Sequence, residues 1–230
     1  MTSPAVNVIT TGSPEMDKKM GGGIPVGSLV LVEGDSDSGK SVLTQQLTWG
    51  ALQEGHRVTL YTTENTTRSL LRQMDSIGLD VHGELISGDF RIFPLSAGAH
   101  HESAIELLPV HMATEKAGLV IVDAATTFVQ GRGDEAALEF FAACKRQCKG
   151  GTTVIVVMHS HAVSDGAMVR LRSMCDAHLR LRLEEVGDKL VKMLEVAKVR
   201  GAGKATGNII SFNVEPGLGM RIIPVSKAKA

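Results

Sequence analysis

The chain has 230 residues, 43% of them hydrophobic, 21% charged and 3% aromatic, with a formal net charge of -1. A chain of this length buries roughly 70% of its unfolded surface. Its ordinary charge and hydrophobicity therefore exclude a disordered protein, and 25 glycines without a Gly-X-Y period exclude collagen. Cys144, Cys148 and Cys175 form no pattern, which argues against a disulfide scaffold and for a reducing compartment. No apolar run reaches about 18 residues and the opening MTSPAVNVITTGSPE has neither a basic n-region nor a long apolar stretch, so a single cytoplasmic domain spanning 1–230 without a signal peptide is expected.

Charge is unevenly spread. Residues 1–143 carry 9 basic and 18 acidic side chains, and residues 144–204 carry 12 basic and 6 acidic ones. Three readings fit: solvated surface, an acidic and a basic face that meet head to tail in an oligomer, or a basic surface for nucleic acid. The scarcity of aromatic rings weighs against the third, because single-stranded nucleic acid is usually held by charge together with stacking.

In chain order, residues 1–28 are rich in Gly, Pro, Ser and Thr around a short amphipathic piece, Pro14–Met20. Ser28–Glu33 is a buried strand, Gly34–Ser41 a loop, and Val42–Gln53 a helix closed by Gly55. Arg57–Thr62 is a strand, and Thr67–Ile77 a helix with Leu70, Leu71, Met74 and Ile77 at helical spacing. Asp89–Leu95 holds the short strand RIFPL, after which His100 and His101 fall in a loop. Ser103–Lys116 is helical with a break expected at Pro109. Leu119–Val122 is an apolar strand leading into Asp123. Asp134–Lys149 is a helix and Thr152–Met158 a buried strand. His178–Glu184, Lys189–Lys198 and Asn208–Val214 are strands without helices between them, and Met220–Pro224 is a last short one. Apolar strands alternating with helices predict an α/β fold with a mainly parallel sheet covered on both faces. The late strands alternate apolar and polar residues, as antiparallel hairpins added to a sheet edge do.

The strongest motif is GDSDSGKS, Gly34 to Ser41, a full match to the phosphate-loop pattern, lying between a buried strand and a helix. Glycines let backbone N–H groups turn inward around phosphates, and the helix N-terminus adds about half a positive charge. The expected nucleotide cradle is Gly34, Asp35, Ser36, Asp37, Ser38, Gly39, Lys40, Ser41 and Val42, with Lys40 on the β- and γ-phosphates and the Ser41 hydroxyl on Mg²⁺. Asp35 and Asp37 are expected to turn their carboxylates away from the triphosphate. A second acid belongs at the end of another buried strand, and LVIVD supplies Asp123. The ligands implied are thus ATP and Mg²⁺.

The lead-in ITTGSPEMDKKMGGGIPVGSLVLVEG, Ile9 to Gly34, resembles that of the RecA/KaiC-type ATPases. The resemblance implies a RecA-like phosphate-loop fold. It also implies that Glu64, at the end of LYTTE, orients the attacking water, and that Ser160 occupies the polar sensor position after the strand TTVIVVMH. Asn65 stands where many KaiC-type domains have a second acid, and Thr62 and Thr63 sit where autophosphorylation would occur. Lys198-Val-Arg200-Gly matches the Lys-x-Arg-Gly at the end of an appended strand that reaches a neighbouring subunit's γ-phosphate in KaiC-type rings, so a homo-oligomeric ring, a hexamer, is implied. Spacing of two puts Lys198 and Arg200 on one strand face.

Within the class, GGGIPVGSLVLVEGDSDSGKSVLTQQ, YTTENTTRSLLRQM and RIFPL resemble most closely the FlaH (ArlH) family, KaiC-like ATPases of the archaeal motility filament. That resemblance implies slow or absent hydrolysis and a cytoplasmic assembly role beneath the membrane platform. The implied partners are the motor ATPase FlaI and scaffold proteins, with no nucleic acid. Two rivals share the core: a RadB-like recombinase paralogue, for which His161–Arg172 is the candidate DNA loop, and a KaiC-like signalling phosphoprotein. Cys144 and Cys148 read as core thiols, Trp49 as core, and His159 and His161 as polar lining of the site mouth or as surface.

Overall fold

The computed structural model describes residues 7–95, 101–187, 189–203 and 206–224, and only the backbone of 101–104. His100 lies outside the described residues. The elements in chain order are β1 (Val8–Ile9), α1 (Pro14–Lys19), β2 (Ile24–Pro25), β3 (Leu29–Gly34), α2 (Lys40–Gln53), β4 (Val58–Thr62), α3 (Thr67–Ser76), α4 (His82–Ser87) and β5 (Phe90–Pro94). There follow α5 (His101–Glu115), β6 (Leu119–Asp123), α6 (Thr126–Val129), α7 (Gly133–Cys148), β7 (Thr153–Met158), α8 (Asp165–Met174), β8 (Ala177–Val186), β9 (Lys189–Val199), β10 (Ile209–Glu215) and β11 (Gly219–Ile222). Nine strands form one sheet in the order β11-β10-β9-β8-β3-β7-β6-β4-β5, and β1 pairs with β2 separately.

The unbroken aliphatic runs are explained by burial on both faces. Along β3, Val30 and Val32 pack with Leu43 and Leu47 of α2, while Leu29 and Leu31 pack with Phe140 and Phe141 of α7. β6 and β7 divide their side chains the same way, because successive residues of a strand point to opposite faces. The parallel block runs from β8 through β3, β7, β6 and β4 to β5. β8 joins it parallel to β3, and from there β9, β10 and β11 return antiparallel, as the alternating pattern predicts.

Three local expectations change. α5 runs through Pro109 without ending there and begins at His101, in place of the expected loop. α4, α6 and α8 are extra helices. α8 takes up the end of the segment read as a candidate DNA loop: Asp165–Met174 is helical, started by Ser164, whose hydroxyl accepts the N–H of Ala167. Among the described residues no helix is long and apolar enough to cross a membrane.

Candidate nucleotide site

Parallel strands carry their C-terminal ends to one edge of the sheet, where ligands of open α/β sheets bind. Glu33 pairs with Met158, and Thr62 with Asp123. The loop after β3, the turn after β4, the end of β6 and the end of β7 therefore meet. A cavity of about 520 Å³ opens there, lined by Ser36, Asp37, Gly39, Lys40, Ser41, Val42, Glu64, His159, Lys192 and Val214.

The phosphate loop is tightly held. A side chain at Gly34 would run into the Leu181 carbonyl and the Ser38 hydroxyl, and Gly39 has φ 100, so both positions require glycine. Asp35, Ser36 and Asp37 are exposed; Asp37 is on the cavity rim and has φ 60, and Asp35 is not among the lining residues. The Asp35 carbonyl accepts from Ser38 Oγ at 2.7 Å and from Lys40 Nζ at 2.7 Å. Lys40 is only 7% exposed. Burial lowers its pKa, against the pull of Glu64, Asp123, Asp35 and Asp37. Its ammonium is thus desolvated and in need of negative charge.

Asp123, 4% exposed, sits opposite the start of α2. Thr44 Oγ1 lies 3.3 Å from its Oδ2, and its Oδ1 is buried without a hydrogen-bond partner. Burial, and then the charge of Glu64, push its pKa up to about 6, with Thr44, Ser41 and Lys40 opposing. An orphaned buried carboxylate oxygen next to the Ser41 hydroxyl is an all-oxygen donor set. It suits a hard divalent cation such as Mg²⁺.

The raised Asp123 pKa makes stability depend on pH. Unfolded, the carboxyl titrates near its ordinary value, about 3.9. Between there and about 6 the folded chain holds a proton that the unfolded chain has lost, so stability falls as pH rises through that window. Without nucleotide, the wild-type melting temperature is expected to rise by a few degrees between pH 7 and pH 5 relative to Asp123→Asn. Parallel melting curves of the two would refute this.

Glu64 is exposed at the cavity mouth. Its N–H and that of Asn65 lie 3.3 and 3.1 Å from Thr62 Oγ1, which fixes the turn. Asn65 is bound to α3: its Oδ1 accepts from Ser69 Oγ in the first turn and from Gln73 Nε2 one turn further on. Thr62 is buried with its hydroxyl taken by those two N–H groups, and Thr63 Oγ1 is tied to Ala124. At the end of β7 it is His159 that lines the cavity; Ser160 is half-buried beside it and outside the lining. Burial, and then Lys40, hold His159 below the ordinary histidine pKa, so it is neutral at pH 7.

Lys192 and Val214 were not legible as site residues. Lys192 pairs across β9 with Leu183 and Phe212, which brings its Nζ to the Asp37 carbonyl at 2.5 Å. No local motif marks it. Only the register of three antiparallel strands puts it over the loop.

Lys198 and Arg200 lie elsewhere. β9 runs opposite to β8 and β3, so its end falls at the sheet edge away from the chain's own cavity. Lys198 Nζ donates to the Arg172 carbonyl at 2.6 Å, and Arg200 Nη2 lies 3.5 Å from the Ser173 carbonyl. Both thus approach the C-terminal end of α8. A larger cavity of about 960 Å³, between α1 and β8–β11, contains no residue of the phosphate loop. The three cysteines are buried, and burial pushes their thiols up, Cys148 to about 11 and Cys175 to about 12, which makes them inert.

A buried ammonium, glycine-bound backbone turned inward at the start of a 14-residue helix and a cation-ready carboxylate define a RecA-like phosphate-loop ATPase domain. The family model of the KaiC ATPases matches residues 9–227, and the chain belongs to that family. It is similar to the archaeal flagellar ATP-binding protein FlaH of Sulfolobus acidocaldarius, 27% identical over 97% of this chain and 100% of that protein. FlaH of Methanocaldococcus jannaschii is also 27% identical, over 90% of this chain and 91% of that protein. The circadian clock oscillator protein KaiC of Prochlorococcus marinus is 25% identical over 88% of this chain but only 42% of its own length. In fold, the crystal structure of the flagellar accessory protein FlaH from Methanocaldococcus jannaschii superposes with a TM-score of 0.83 at 24% identity, covering 96% of this chain and 100% of that one.

Proposed function

We propose that the chain is a slowly hydrolysing ATP-binding component of an archaeal motility motor, in which bound ATP governs assembly. The observation that carries this reading is end-to-end similarity to proteins named archaeal flagellar ATP-binding protein FlaH, where the clock proteins match over less than half their length. Gly34 to Val42 hold the phosphates with their N–H groups and Lys40, and Ser41 and Asp123 hold Mg²⁺. When bound, that ion neutralises charge on the β- and γ-phosphates. Glu64 orients a water, and Ser160 is the polar sensor beside His159. Slow turnover is supported by Asn65, which lacks a carboxylate and is bound into α3.

Lys198 and Arg200 act on the ATP of a second copy of the chain in a hexameric ring. Their place at the edge opposite the cavity supports this, because a pair unable to reach its own nucleotide is free for a neighbour's. The acidic first half and basic later segment favour the same head-to-tail contact. Wild type is expected to form a ring in ATP, while Lys198→Ala/Arg200→Ala stays smaller and keeps single-chain ATP binding. Oligomer mass at low and moderate salt reads the difference. In the cell, the chain works in the cytoplasm at the membrane face, through the motor ATPase FlaI and scaffold proteins. Capture of membrane-free FlaI by this chain, compared with and without ATP, tests the role: capture that is absent under both conditions removes it.

A further inference from the structure

Glu33 is the residue before the phosphate loop, and its side chain is wholly buried. Burial pushes its carboxyl up, but the neighbouring His178 and the Arg172 fork outweigh this and hold it below the ordinary glutamate range. Arg172 grips it with a two-pronged fork, Nε to Oε2 at 3.0 Å and Nη2 to Oε1 at 2.7 Å, while His178 Nε2 and Arg180 Nε stand 3.4 and 3.6 Å from Oε1. Arg172 also lies in the last turn of α8, where carbonyls lack helical partners. Its own carbonyl accepts Lys198 Nζ, and the next one, of Ser173, faces Arg200. One residue therefore touches the strand of the phosphate loop with its side chain and the Lys198 ammonium with its main chain.

The other end of the strand is held in a matching way. Asp176 Oδ2 accepts the Leu29 N–H at 2.9 Å and pairs with Lys145. The Asp176 carbonyl accepts the Arg200 N–H at 2.8 Å. β3 is thus bound at Glu33 and at Leu29, about 13 Å apart at 3.3 Å per residue, to the framework that presents the basic pair. Met168 and Leu171 give α8 its buried face. The fork adds a directional contact at the turn whose carbonyls meet Lys198 and Arg200.

We propose that Glu33 and Arg172 are positioning residues that fix where Lys198 and Arg200, at the far edge of the sheet, stand relative to the chain's own phosphate loop, so that the loop and the pair acting on a neighbour's ATP move as one unit. This rests on the reading of Lys198 and Arg200 given above. The Arg172→Lys variant keeps the positive charge and loses the fork. Three quantities decide the matter: melting temperature, ATP affinity at a protein concentration too low for assembly, and the protein concentration at half assembly in ATP. Arg172→Lys is expected to melt near wild type and to bind ATP as a single chain within about threefold, yet to need about tenfold more protein to assemble, within the usual range of coupling between sites.

Assembly like wild type in Arg172→Lys overturns the proposal. So does a loss of melting temperature and single-chain affinity in step with assembly, since that is a purely structural role. If Arg172→Lys does not fold, Glu33→Gln/Arg172→Gln, which removes both charges and with them the fork, is read by the same three measurements. The underlying reading fails separately: wild type stays single in ATP, or Lys198→Ala/Arg200→Ala assembles like wild type, and in either case the proposal falls with it.

Discussion

Lys40→Ala is expected to erase the rise in melting temperature that ATP gives the wild-type chain. At ATP 100-fold above Kd, binding stabilises the folded state by about 2.7 kcal/mol. In a chain of this length each kcal/mol moves the midpoint by about 2–4 °C. The wild-type shift is then about 5–10 °C, and that of the variant close to zero. The reason is electrostatic. The Lys40 ammonium is buried among the charges of Glu64, Asp123, Asp35 and Asp37. Removing it leaves those carboxylates to meet a polyanion without their counter-charge. Without ATP the variant is expected to melt near wild type, since a desolvated ammonium stabilises the empty site little. A variant that keeps the full ATP shift would place the phosphates elsewhere.

Glu64→Gln is expected to lower ATP turnover by at least about 100-fold while binding is kept, because a positioned base contributes about 10²–10⁴-fold and an amide cannot take a proton from water. Binding is expected to tighten slightly. The Glu64 charge helps to push the Asp123 pKa to about 6, so removing it makes Asp123 easier to ionise and takes one negative charge from the cavity mouth. Phosphate release and nucleotide titration, measured on the same preparation, separate the two effects. Unchanged turnover would move the base to another residue.

The chemistry that lies in consecutive residues was legible without coordinates. The phosphate loop needs one strand, one glycine-rich turn and one helix start, and Gly34 to Ser41 supply them in a single stretch. Asp123 was picked out as the acid closing a second buried strand and Glu64 by the resemblance to KaiC-type domains, and the charges of both act on Lys40. At the end of β7, His159, read as polar lining of the site mouth or as surface, lines the cavity, and Ser160 stands beside it.

The late strands were legible as strands, and their antiparallel course followed from alternation. What they do to the site was not legible. Lys192 reaches the Asp37 carbonyl because β8 docks parallel on β3 and β9 folds back at one register. α8 replaced an expected loop because its apolar residues, Met168 and Leu171, needed the sheet to reveal their face.

The amino-acid sequence by itself determined the family and the phosphate-loop motif and pointed to the two acids proposed to serve it, since each depends on neighbours within a few positions or on the end of a strand. Only the tertiary structure decided which distant groups share a charge. In the sequence Glu33 is a strand residue, Arg172 the end of a candidate DNA loop and Lys198 one of the pair directed at a neighbour's nucleotide, with nothing to join the three. Their joining depends on strand order and on the rotation of a helix, which are set by burying apolar area on both sides of the sheet at once and are contained in no local stretch of chain.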